Sequence, residues 1–108
     1  MSWDLYIRDN DGVVQVDKHE EGGTFVLGGS KDAELNITYN YSKIFAFKKI
    51  LNGKTCEDCI EWLESLIKTL GTERDEDGWE PTEGNVGYCL SIILSWCKQH
   101  PKANISIY

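Results

Sequence analysis

Basic residues are scarce in this chain. Eleven Lys and Arg stand against 18 Asp and Glu in 108 residues, a net charge of -7 with a pI near 4.7. Affinity for a phosphate backbone comes from clustered cations, so direct nucleic-acid binding is not expected. Histidine is scarcer, with only His19 and His100, which leaves general-base chemistry to isolated residues. Gly-x-Ser-x-Gly, a Walker loop and a dinucleotide-binding fingerprint are all missing, and Gly-rich "GGTFVLGGS" splits around a strand-like run and reads as two turns. An enzyme is therefore not the expectation.

Long apolar runs are missing too. The longest, "CLSIILSWC", is less than half of what a bilayer requires, and "MSWDLYIRD" lacks the basic and apolar regions of a signal sequence. The expectation is a cytoplasmic protein with no membrane partner, whose sequons at Asn36, Asn40 and Asn104 serve as hydrogen-bonding residues rather than glycan sites. With 41% apolar and 27% charged residues, the chain reads as one globular domain over residues 1–108.

"WDLYIRD" alternates apolar and polar residues as a half-buried strand does, and "DNDG" supplies hairpin chemistry that returns "VVQVDK" antiparallel. "TFVLGG" and "LNITYNY" read as further strands, "ANISIY" as the last. Ile44, Phe47, Ile50 and Leu51 suggest a short helix ending at Asn52-Gly53. A longer helix starts at Thr55 as N-cap, with Cys56, Cys59, Ile60, Leu63, Leu66, Ile67 and Leu70 on one stripe and Gly71 as its stop. Another follows Pro81-Thr82, turns Val86, Leu90, Ile93 and Cys97 inward, and ends before Pro101. The pattern predicts an α+β fold: a mainly antiparallel sheet of four to five strands with two main helices and one short one on one face.

Cys56 and Cys59 form Cys-x-x-Cys at a helix start, where amide dipoles favour a reactive thiolate, yet both lie on the helix's apolar stripe. Cys89 and Cys97 are eight apart and supply no second pair for zinc. In "ERDEDGWEPTEG" the acids around Gly78 miss calcium-loop spacing, because Gly84 stands where the bidentate Glu belongs. Four core thiols, no metal and no cofactor are expected.

Two segments stand out. In "NITYNYSK", continued as a strand, Asn36, Thr38, Asn40 and Ser42 share one face about 20 Å long. Asn is depleted in strands, so this face is either bonded to neighbouring backbone or is a surface offered to a ligand. In "WEPTEGN", Trp79 either staples the helix start or lies open beside the free amides following Thr82. Lys43, Lys48, Lys49 and Lys54, interleaved with Phe45 and Phe47, make a local basic patch suited to a phosphate-bearing ligand if it lies near the polar strand.

"LNITYNYSK", "NGKTCEDCIEWLESLIKTLG" and "WEPTEGN...L..IL.W...HP" together resemble a family of small uncharacterised proteins encoded by phages and prophages, over roughly residues 34–101. The signature is Asn-x-Thr-Tyr-Asn-Tyr-Ser followed by Trp-x-x-Thr-x-Gly-Asn. The chain departs from it at "KANISIY", where relatives end in an aromatic-glycine-aspartate run. The resemblance implies a viral accessory protein that acts by binding, with a host defence protein or a small nucleotide ligand as partner. Thr38, Asn40, Tyr41, Ser42 and Lys43, with Trp79, Thr82 and Asn85, are the expected ligand-binding residues of an amide- and hydroxyl-lined recess. Two alternatives stay open: an acidic inhibitor or nucleic-acid mimic engaging a basic host surface through "ERDEDGWE", and an assembly protein pairing through an exposed "ISIY" edge.

Overall fold

Strand β1, Ser2–Asp9, is the hub of the sheet because its inward residues Leu5 and Ile7 are completely buried while its alternate residues stay partly open. The computed structural model describes residues 1–17 and 31–108. The strand expected at 24–29, the turn before it and His19 lie outside the described residues. Gly12, at φ 115°, makes the tight turn after β1 that a side chain would resist, and β2, Gly12–Val13, returns from it. The two-residue ladder ends at Val13, with Val14 N–H still donating to Ile7 O at 2.9 Å. Val14 and Val16 then pair with residues 31–33, Ala33 N–H donating to Val14 O at 2.9 Å and Val16 N–H to Lys31 O at 2.7 Å.

β3, Glu34–Thr38, runs antiparallel to β1 with Trp3 opposite Ile37 and Leu5 opposite Leu35. β4, Asn104–Ile107, also pairs with β1, setting Ile107 opposite Leu5 and Ile105 opposite Ile7. Among the described residues the result is a four-stranded antiparallel sheet. Far from being an exposed edge, β4 is covered on its free side: Gly53 N–H donates to Ile105 O, Ile105 N–H to Lys54 O, and Ile107 N–H to the Asn52 side chain. The pairing surface expected of "ISIY" is therefore already occupied.

Among the described residues three α-helices complete the α+β fold: α1 (Phe47–Leu51), α2 (Cys56–Leu70) and α3 (Glu83–Gln99). Leu5, Ile7, Leu35, Ile37, Ile105 and Ile107 join Phe47, Leu51, Cys56, Cys59, Leu63, Val86, Leu90, Ile93 and Trp96 in one buried cluster. α3 buries residues on most of its circumference, including Asn85 and Gly87, whereas α2 buries only Cys56, Cys59 and Leu63. Ile60, Leu66, Ile67 and Leu70 on the expected α2 stripe are half-buried at its flank. Thr55 holds the extended N-cap conformation, but its hydroxyl bonds to the Asn104 side chain at 3.2 Å and caps nothing. Docking on the turn that leads into β4 makes that cap unnecessary, since Cys56 N–H donates to Ala103 O and Glu57 N–H to Pro101 O. Among the described residues no helix is long and apolar enough to cross a membrane.

Candidate functional site

The polar stretch is not one strand. β3 stops at Thr38, and Tyr39–Lys43 winds into a 3-10 helix, so the expected 20 Å row of Asn36, Thr38, Asn40 and Ser42 does not form. The cause is local. The Thr38 hydroxyl accepts the Asn40 N–H at 3.2 Å, offering the backbone a turn in place of the ladder. Thr38 is thereby buried, and Tyr41 with it. Asn36, still on the strand, spends its amide on the neighbouring chain, donating to Ser2 Oγ at 2.7 Å and Asp4 Oδ1 at 2.9 Å.

The new turn does bring the two flagged segments together. Asn40 Nδ2 donates to Trp79 O at 2.9 Å, and the Tyr41 hydroxyl donates to Gly78 O at 2.5 Å. From the other side, fully buried Asn85 satisfies three loop groups: its Oδ1 accepts Asp75 N–H at 3.0 Å, and its Nδ2 donates to Asp77 O at 3.1 Å and Glu80 O at 2.9 Å. Thr82 caps α3 by accepting Asn85 N–H at 3.1 Å. Two carboxylates turn inward on the loop as well, Asp75 accepting from Asp77 N–H and Asp77 from Trp79 N–H. Of the amides and hydroxyls expected to line a recess, those of Asn40, Tyr41 and Asn85 are thus consumed in holding residues 75–80, Thr82 in capping α3 and Thr38 in its own turn.

Glycine extends the clamp. A Cβ on Gly84 would stand 1.8 Å from Glu73 O, and one on Gly87 1.7 Å from Gly71 O, so the connection between α2 and α3 presses directly onto the α3 backbone. In the sequence Gly84 stands out as the residue that breaks calcium-loop spacing, and Gly87 does not stand out by itself. Two glycines three apart on one helix face were the available sign of a close backbone approach.

The clamp presents Trp79. Its side chain is 53% exposed, so it is not a staple buried over the helix start, and Glu76, Asp77 and Glu80 beside it are exposed. Compared with known proteins, the chain matches no family model, no curated sequence and no solved structure.

Ser42 and Lys43, the remaining flagged residues, are exposed on the far part of the 3-10 helix. Ser42 borders a hollow of about 380 Å³ with Trp3, Ala46, Phe47, Lys48 and Lys49. Lys43 and Lys54 of the basic patch do not line it. Trp3 escaped notice as a site residue because strand alternation assigns it to the core face.

The four thiols are free and buried. Burial pushes Cys89 and Cys59 above the usual thiol range, and a hydrogen bond to Cys56 together with burial does the same to Cys97. That bond, donated by the Cys97 thiol, holds Cys56 below its usual value against the opposing effect of burial. Zero exposure at Cys56 and Cys59 keeps the Cys-x-x-Cys pair away from any reagent at the surface. Among the described residues, no group of three or more His, Cys, Asp or Glu could hold a metal ion.

Proposed function

We propose that this chain is a non-enzymatic accessory protein of the phage type that docks on a host protein through residues 75–80, with counter-defence as its role. The observation that supports this most is the exposed indole of Trp79 on a loop tied down at Gly78, Trp79, Asp75, Asp77 and Glu80 by side chains from two other elements. A loop already fixed loses little freedom on binding, so the buried area of a tryptophan is converted into affinity with a small ordering cost. Many polar side chains are used to keep one apolar residue in water. That arrangement makes sense for a surface whose partner is elsewhere.

The exposed carboxylates of Glu76 and Glu80 beside the indole suit a basic surface with an apolar socket at its centre. This favours the acidic-inhibitor reading over the amide-lined recess, because the amides that would have recognised a ligand are already bonded to the loop.

The test uses the chain as bait in bacterial lysate at low and moderate salt, with Trp79→Ala as the paired control. One basic protein should be retained by the natural chain and, once purified, should bind Trp79→Ala about 30-fold more weakly, the loss typical of a hot-spot tryptophan. Its affinity should fall as salt screens the carboxylates. A retained protein that binds both forms equally, or whose affinity ignores salt, would reject the docking surface.

A further inference from the structure

We propose that the hollow beside Trp3 is a second binding site, one that takes a planar aromatic anion of the nucleoside monophosphate class. Three elements build it. Trp3 comes from the start of β1, Ser42 from the 3-10 helix, and Ala46, Phe47, Lys48 and Lys49 from α1 and the residue before it. Its volume of about 380 Å³ lies within the range of small-molecule pockets.

The indole is held in place. Tyr39 packs on it with ring centroids 4.3 Å apart at 53°, and Trp3 Nε1 donates to Ser42 Oγ at 3.4 Å. Ser42 is the acceptor in that contact and keeps its own proton to donate to a ligand. Over the ring, 5.8 Å from its centroid, sits the Lys48 ammonium. At an exposed position that cation–π contact is weak, and a lysine stem is flexible. A stacking base would take the place over the indole, and Lys48 would swing to the anion attached to it.

Charge sets the class of ligand. The protein carries a net charge of -7, yet the residues lining this hollow include Lys48 and Lys49 and no carboxylate. An apolar ring alone would leave the Lys48 ammonium unused, and an inorganic anion alone would leave the indole unused. A base joined to a phosphate uses the ring, the hydroxyl and the Lys48 cation, with Lys49 adjoining.

Adenosine 5′-monophosphate is the probe, titrated by calorimetry, with adenosine and inorganic phosphate as its two halves. The expected result is a dissociation constant below about 1 mM for the monophosphate, tighter than for either half. Trp3→Leu should weaken binding at least about tenfold by removing the stacking surface. Lys48→Ala with Lys49→Ala should do the same through the phosphate, while Lys68→Ala, an exposed lysine on α2, should change nothing. Because Trp3 also packs on Tyr39, the lysine pair decides the matter if Trp3→Leu does not fold. No detectable binding, unchanged binding by the lysine pair, or inorganic phosphate binding as tightly as the monophosphate would each overturn the site.

Discussion

Asn85 carries more of the loop's structure than any other side chain described, since it is fully buried and bonds three separate backbone groups. Removing it with Asn85→Ala leaves the Asp75 N–H without its partner and takes one of two bonds from each of Asp77 O and Glu80 O, which still accept from the N–H groups of Glu80 and Thr82. With a net value of about 0.5–1 kcal/mol for each of the three bonds lost, the expected loss is about 2 kcal/mol, read as a lower urea midpoint. Asn85→Asp separates the bonding pattern from the loss of volume, because it keeps the acceptor for Asp75 N–H but sets a carboxylate against the carbonyls of Asp77 and Glu80. The aspartate should therefore be at least as destabilising as the alanine. An Asn85→Asp protein as stable as the natural chain would show that the two donated bonds contribute little. Gly84 meets a harder limit, because its missing Cβ is what lets Glu73 O approach, and no rotamer relieves a clash with backbone.

At the scale of elements, the loop between α2 and α3 behaves as part of the fold, since its backbone is bonded to the 3-10 helix, to α3 and to its own carboxylates. Hydrogen exchange should detect this. The N–H groups of Asp75, Asp77 and Trp79, each bonded to a side-chain oxygen, should exchange slowly in the natural chain, and Asp75 should become fast in Asn85→Ala while Ile105 and Ile107 on β4 keep their protection. Equal protection of Asp75 in both proteins would mean that the loop is held by something other than Asn85. Most element types were legible in the sequence: the period-two residues of β1 and β4 and the stripe of α2 follow directly from side-chain direction, and Gly71, at φ 77°, stops α2 where its sequence suggests. The polar strand was not. Leu35 and Ile37 establish an alternation that Tyr39 and Tyr41 continue in letters, but a single side-chain bond at Thr38 turns the chain and buries Tyr41 by another route. The flagged residues of the candidate site were found because Asn in a strand and Trp in an acidic loop both run against propensity. Their role was not, because a free amide and one bonded to a distant carbonyl look identical in sequence.

Considered whole, the molecule places its thiols where their protonation is tied to folding. Burial raises Cys89, Cys59 and Cys97 above the ordinary thiol value of 9.0, whereas Cys56 is lowered by its bond from Cys97. A folded-state pKa above the unfolded one means that the unfolded chain loses the proton first as pH rises. The stability contributed by those three thiols is therefore complete below about pH 9 and falls above it, at up to about 1.4 kcal/mol per pH unit for each group titrating only in the unfolded chain. Cys56 works in the opposite sense, but it is one against three. Tyr6 adds to the same trend, since desolvation and the nearby Glu34 and Asp4 carboxylates hold its hydroxyl above 10.0. The decisive comparison is between the natural chain and Cys89→Ala, which removes the thiol shifted by burial alone. Urea unfolding of both at about pH 8 and about pH 10 should give a steeper loss for the natural chain, although the alanine protein starts lower because a buried sulfur has been removed. Parallel losses would mean that Cys89 ionises equally readily in both states, and the enclosure of this α3 residue in the core could not then be as complete as its zero exposure indicates.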